Sequence, residues 1–118
     1  MKRALAVDDS ATMRNLVKMA LESEGFKVDT AENGAQALEL SKKNEYDIVI
    51  SDINMPVIDG LQFLREFRAM NRRTPVLMLT TETEARKKEE AKRLGATGWI
   101  VKPFKPEDLV KVVKRVVR

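Results

Sequence analysis

The 118-residue chain contains no cysteine and no histidine. The first absence excludes disulfides and thiolate metal sites. The second removes the commonest general base near neutrality and the commonest transition-metal ligand. A metal bound here would sit on oxygen, which favours a hard cation such as Mg²⁺. Aromatic residues amount to 5%, with one tryptophan and one tyrosine, and none interrupts the basic stretches. Base-stacking recognition of nucleic acid is therefore not expected. No apolar run approaches the roughly 20 residues of a membrane helix. The basic start, Met1 to Leu5, is too short for a secretory signal. We expect a cytoplasmic protein with neither a membrane nor a nucleic acid as partner.

Apolar residues make up 43% of the chain and charged residues 34%, a soluble globular mixture. The length suits one compact domain over residues 1–118, large enough to bury a core without staples. The net charge of +4 hides an asymmetry. Residues 1–59 carry seven Lys/Arg against eleven Asp/Glu, and residues 60–118 carry fifteen against seven. A basic half suits an acidic partner peptide. The plainer reading makes Arg86 to Arg93 one solvated helix face.

Short apolar runs alternate with longer periodic segments. Ala4 to Val7 is a run ending in acids. Met13, Leu16, Val17, Ala20 and Leu21 recur at helical spacing before a stop at Gly25. Phe26 to Thr30 alternates as an edge strand does. Asn33 reads as the N-cap of a helix containing Ala37, Leu38 and Leu40. Ile48 to Ile50 is β-branched, and Asp59-Gly60 opens a helix with Leu61, Leu64 and Phe67. Pro75 to Leu79 is again short and apolar, and Thr83 to Leu94 is helical and charged. Trp99 to Val101 is the fifth run. Lys105 to Asp108 starts a last helix, with acids at its positive end and Leu109, Val112, Val113 and Val116 as its stripe. Five βα units predict a doubly wound α/β fold with a parallel sheet and helices on both faces.

Open parallel sheets bind ligands beyond the carboxyl ends of their strands. Asp8 and Asp9 follow the first run, Asp52 the third, Thr80 and Thr81 the fourth, and Lys102 the fifth. Clustered carboxylates repel unless a cation holds them, so Asp9 and Asp52 suggest a Mg²⁺ site, with Asp8 acting through water. A carboxylate can be the nucleophile that forms an acyl phosphate. Phosphoryl transfer asks chiefly for position and charge neutralisation. Thr80 offers a hydroxyl and Lys102 an ammonium to phosphoryl oxygens. Each also has an ordinary reading. Asp8-Asp9 can cap a helix, Thr80-Thr81 can be β-formers, and Lys102 can be solvated. Their co-occurrence at one sheet edge favours the site.

Five stretches carry a resemblance: Val7-Asp8-Asp9-Ser10, Ser51 to Pro56, Asp59-Gly60, Leu79 to Glu82, and Val101 to Phe104. Together they resemble the receiver domain of response regulators, in order and across the whole chain, and within that family the single-domain chemotaxis regulators. The resemblance implies a flavodoxin-like sheet of order 2-1-3-4-5 with five helices. Asp52 resembles the phosphorylated aspartate. Asp9, Asp52 and the Asn54 carbonyl resemble the Mg²⁺ ligands, with Asp8 in the outer shell. Thr80 resembles the switch hydroxyl and Lys102 the phosphate-binding lysine, in a cis bond with Pro103. Trp99 stands where the family has an aromatic switch residue, more often tyrosine. As a lone aromatic near the last strand, it also fits an ordinary core role. Asn54 and Glu82 occupy positions that tune hydrolysis.

The implied function is a phosphorylation-activated signalling switch rather than an enzyme, though one that takes part in forming and hydrolysing its own acyl phosphate. A CheA-like histidine kinase and the flagellar motor switch are the implied partners, and a monomer is expected. Three other readings share some of these features. Haloacid-dehalogenase-type phosphatases use similar residues but need a second acid two residues past the nucleophile, where Asn54 stands. A receiver cut from a DNA-binding regulator and a phosphate-independent interaction module are the others.

Overall fold

The computed structural model describes residues 1–81 and 85–117. Five strands alternate with five helices: β1 (Arg3–Val7), α1 (Ala11–Glu22), β2 (Lys27–Ala31), α2 (Gly34–Lys43), β3 (Ile48–Asp52), α3 (Gly60–Met70), β4 (Val76–Thr80), α4 (Ala85–Arg93), β5 (Gly98–Val101) and α5 (Pro106–Val116). All four strand pairings are parallel, and the order is β2-β1-β3-β4-β5. This is the flavodoxin-like order that the resemblance implied. The chain runs outward from β1 in both directions, so strand order reverses between β1 and β3.

Side chains alternate across a strand, and both sheet faces are covered. Leu5, Val7, Val49, Val76 and Met78 pack beneath α2 and α3 with Ala37, Phe63, Leu64 and Phe67. Ala4, Ala6, Ile48, Ile50, Leu77 and Leu79 face α1 and α5, against Val17, Leu21, Leu109 and Val113. The three central strands are therefore apolar through their middles, with polar Ser51, Asp52 and Thr80 only at the carboxyl ends of β3 and β4, which are buried at every position. Burying one such Leu or Ile stabilises the fold by about 1.5–3 kcal/mol.

Local signals fix several boundaries. The Asn33 side chain accepts from the Gln36 N–H at 2.9 Å, and Asp59 accepts from the Gln62 N–H at 2.9 Å, so both act as N-caps as expected. The cap of α1 is Ser10, which accepts from the Met13 N–H, not Asp8 or Asp9. Gly25 has φ +89°, and the Phe26 N–H returns to the Leu21 carbonyl. That bond spends Phe26 on closing the helix, so the second strand begins one residue later than its alternation suggested. The fourth strand likewise runs Val76–Thr80 rather than Pro75–Leu79. Residues 83 and 84 of the expected fourth helix lie outside the described residues. On α5, Leu109 and Val113 are buried, whereas Val112 and Val116 are half-buried. Among the described residues, no helix is long and apolar enough to cross a membrane.

Candidate functional site

The site lies at the carboxyl edge of the sheet, where backbone bonds continue one residue past each strand. The Asp8 N–H donates to the Ala31 carbonyl at 3.1 Å, Ile53 to Leu79 at 3.2 Å, and Lys102 to Thr80 at 2.6 Å. These bonds hold the first residue of each loop as firmly as the strand before it. They deliver Asp8, Asp52 and Lys102 to a common point. Positioning from rigid elements is what a phosphoryl-transfer site requires.

Carboxylate oxygens of Asp8, Asp9 and Asp52 all lie within 4.8 Å of one another. Asp8 and Asp52 are buried and Asp9 is exposed. Asp8 Oδ1 accepts from the Ser10 N–H at 2.9 Å, and its own carbonyl accepts from Arg14 Nη1 at 2.8 Å. Lys102 Nζ sits between the two buried acids, 3.3 Å from Asp8 Oδ2 and 3.2 Å from Asp52 Oδ1. The all-carboxylate donor set fits a hard divalent cation. Receiver domains typically bind Mg²⁺ at such an acidic pocket.

Burial, and then the charge of Asp8, pushes the Asp52 carboxyl up to about 6, against the opposing effects of Lys102 and the Ile53 N–H. Burial acts on Lys102 in the opposite sense, but the charges of Asp52 and Asp8 outweigh it and hold its ammonium above the usual value. Like charges at short range thus strain the acidic pair, and one lysine partly compensates. A cation added here would relieve the remainder.

Thr80 ends β4 fully buried, and among the described residues its Oγ1 has no hydrogen-bond partner. An unsatisfied buried hydroxyl costs about 1–3 kcal/mol, which a phosphoryl oxygen would recover. Thr80 pairs in register with Val101, beside Lys102. Gly60, at the start of α3, supports the site from below. A Cβ there would lie 2.1 Å from the Asp52 carbonyl oxygen. The Gly60 N–H donates to the Ile53 carbonyl at 2.7 Å. The Lys102–Pro103 bond is cis.

Two expected residues stand at the margin. Asn54 is exposed, and its Oδ1 accepts from the Lys87 ammonium of α4. Trp99, on the edge strand β5, is 39% exposed, which removes the core reading. Lys88 Nζ lies 5.7 Å from its ring centroid. Glu82 lies outside the described residues. Three contributors went unread in the sequence. Ser10 serves through its main-chain N–H, which no side-chain pattern encodes. Gly60 was read as a helix start, and only the folded loop reveals its close approach to Asp52. Lys87 sits in a run of basic residues with nothing to single it out.

A model of the response regulator receiver domain matches residues 4–114. The transcriptional regulatory protein SrrA of Staphylococcus aureus is 40% identical over 114 residues, covering 97% of this chain and 47% of that protein. The chain thus spans about half the length of this curated relative. The structure of the chemotaxis response regulator CheY4 of Vibrio cholerae is 48% identical, covers 99% of both chains and superposes with a TM-score of 0.93. The receiver domain of NtrX from Brucella abortus is 32% identical, covers 96% of each chain and gives a TM-score of 0.91. With the family model matched over residues 4–114, nearly its whole length, the chain belongs to the receiver domains of two-component response regulators.

Proposed function

We propose that the protein is a phosphorylation-activated signalling switch in which Asp52 accepts a phosphoryl group from a histidine kinase. The observation that carries this reading is the Lys102 ammonium 3.2 Å from the buried Asp52 carboxylate, beside the unpartnered Thr80 hydroxyl. An Asp52 oxygen attacks phosphorus as the bond to the donor's imidazole nitrogen breaks, and that nitrogen keeps the electron pair. Lys102 neutralises one phosphoryl oxygen, and Thr80 donates to another. Asp9, Asp52 and the Asn54 carbonyl would hold Mg²⁺, with Asp8 in its outer shell. When bound, the cation would offset charge on the entering phosphoryl group. New bonds from Thr80 and Lys102 then favour one of two pre-existing conformations. Trp99, exposed on β5, is the residue that reports or transmits the change.

The role is signalling by protein binding, in the cytoplasm and as a monomer. Likeness to CheY4 over 99% of both chains supports chemotaxis, with a CheA-like kinase upstream and the flagellar motor switch downstream. SrrA, a transcriptional regulator, supports a second reading, in which the same receiver serves a DNA-binding output. Intact mass after treatment with acetyl phosphate and Mg²⁺ tests the shared chemistry. One phosphoryl adduct is expected on the wild-type chain and none on Asp52→Asn. An adduct that survives the substitution would move the site elsewhere.

A further inference from the structure

Lys87 and Asn54 are 33 positions apart in the chain, yet the Lys87 ammonium donates to Asn54 Oδ1. Lys87 belongs to the second residue pair of α4, and Asn54 lies two residues beyond Asp52, at the exposed rim above a buried carboxylate. The geometry points to Lys87 as a positioning residue that slows hydrolysis of the acyl phosphate by occupying the Asn54 amide oxygen. This inference rests on the reading of Asp52 as the phosphoacceptor.

Hydrolysis requires a water oxygen to bond to phosphorus while the bond from phosphorus to the Asp52 oxygen breaks. The electron pair returns to the Asp52 carboxylate, inorganic phosphate leaves, and the water's proton passes to solvent. An acceptor beside that water orients it and eases loss of the proton. The acceptors of Asp8 beside Asp52 are already engaged, and Asp9 belongs to the proposed cation site. Asp8 Oδ1 takes the Ser10 N–H and Asp8 Oδ2 faces Lys102. The Asn54 side chain has a single acceptor atom, Oδ1, and it stands at the rim where water arrives. A charge-assisted bond to Lys87 holds it. With the ammonium in place, one lone pair of that oxygen is taken and the other is a weaker acceptor for an incoming water.

The contact has a second consequence. Lys87 rides on α4, so a partner that displaces α4 loosens its hold on Asn54. The lifetime of the phosphoryl group then depends on what grips that helix, and the coupling is reciprocal.

The test is decay of the phosphorylated form. Protein is charged with acetyl phosphate and Mg²⁺, the donor is removed, and the adduct is followed by intact mass. Lys87 is half-buried, and the residue that α4 buries in the core is Ala91, so Lys87→Met, Lys87→Gln and Lys87→Arg are expected to fold. Lys87→Met and Lys87→Gln should speed decay by about two- to tenfold, the scale of the net contribution of one typical hydrogen bond. Lys87→Arg keeps a donor and should decay near the wild-type rate. Adding Lys87→Met to Asn54→Ala should change nothing further. Decay of Lys87→Met at the wild-type rate, or an equal acceleration in the Asn54→Ala background, would overturn the inference. If the wild-type chain takes no adduct on Asp52, the phosphoacceptor reading falls, and this inference with it.

Discussion

Gly60 and Asp52 are packed so closely that a single methyl group on the glycine would lie 2.1 Å from the Asp52 carbonyl oxygen and 2.7 Å from the Ile53 Cα. Both obstacles are main chain and cannot rotate away. Gly60→Ala must therefore push the third helix off the end of β3 or displace the phosphoacceptor itself. We expect a loss of about 2–4 kcal/mol in stability and at least a tenfold slower phosphorylation. Urea midpoints and acetyl phosphate kinetics measure the two effects. Gly98→Ala is the control. Its Cβ would meet Leu77 Cδ2 at 3.5 Å, an ordinary contact, and it should be nearly neutral.

The strained acids give a pH dependence with a defined sign. Asp52 titrates at about 6 in the folded, metal-free protein, above its ordinary value of 3.8. Between these values the folded state binds more protons than the unfolded state, so this residue's contribution to stability falls as pH rises through the window. Above about 6 the penalty is fully present, and below 3.8 it is absent. In chelator, Asp52→Asn should be more stable than wild type at pH 7.5, and the difference should vanish near pH 3.5. Denaturant midpoints at the two values check it. An equal difference at both would contradict the origin assigned to the strain.

Lys102 competes with any cation for the same two acids, 3.2 and 3.3 Å away, and also serves the phosphoryl group. Its two roles separate in Lys102→Met. Removing a positive charge from the pocket should tighten Mg²⁺ binding several-fold. The same change should slow phosphorylation at saturating Mg²⁺ by about 10–100-fold, the scale of one preorganised charge contact. Titration calorimetry and phosphorylation rates read the two effects, and the account requires them to move in opposite directions.

How much of this was legible beforehand depends on the scale at which each feature is encoded. The five βα units follow from runs such as Ile48 to Ile50 and Val76 to Leu79, whose burial on both faces leaves only apolar choices. Asn33 and Asp59 announced their helices because capping is local chemistry. The gathering of Asp8, Asp52, Thr80 and Lys102 followed from topology, since parallel strands deliver their ends to one edge. What stayed hidden was contact between distant elements. Phe63 is fully buried on α3, yet the reading of that helix followed Leu61, Leu64 and Phe67 and missed it. Met19 and Met70 are apolar, yet they are 70% and 47% exposed, because their helices turn that face to solvent. The outward setting of Trp99 depends on β5 being an edge strand, which no local pattern reports.

That setting makes Trp99, the sole tryptophan, a probe of the β5 edge. In the resting protein its ring is partly exposed, with Lys88 above it. Exposed cation–π pairs contribute about 0.5–1 kcal/mol, small enough for phosphorylation to disturb. We expect beryllofluoride with Mg²⁺ to change Trp99 emission and its accessibility to acrylamide. Asp52→Asn should abolish both changes. An emission spectrum indifferent to the mimic would show that Trp99 takes no part in the switch.

The central claim is the identity of the accepting atom, and borohydride trapping reads it directly. An acyl phosphate on aspartate is reduced to homoserine, which peptide sequencing locates. The account predicts homoserine at position 52 in protein treated with acetyl phosphate and Mg²⁺, and none without the donor. Homoserine at Asp8 or Asp9, or a phosphorylated protein with aspartate intact at position 52, would contradict it.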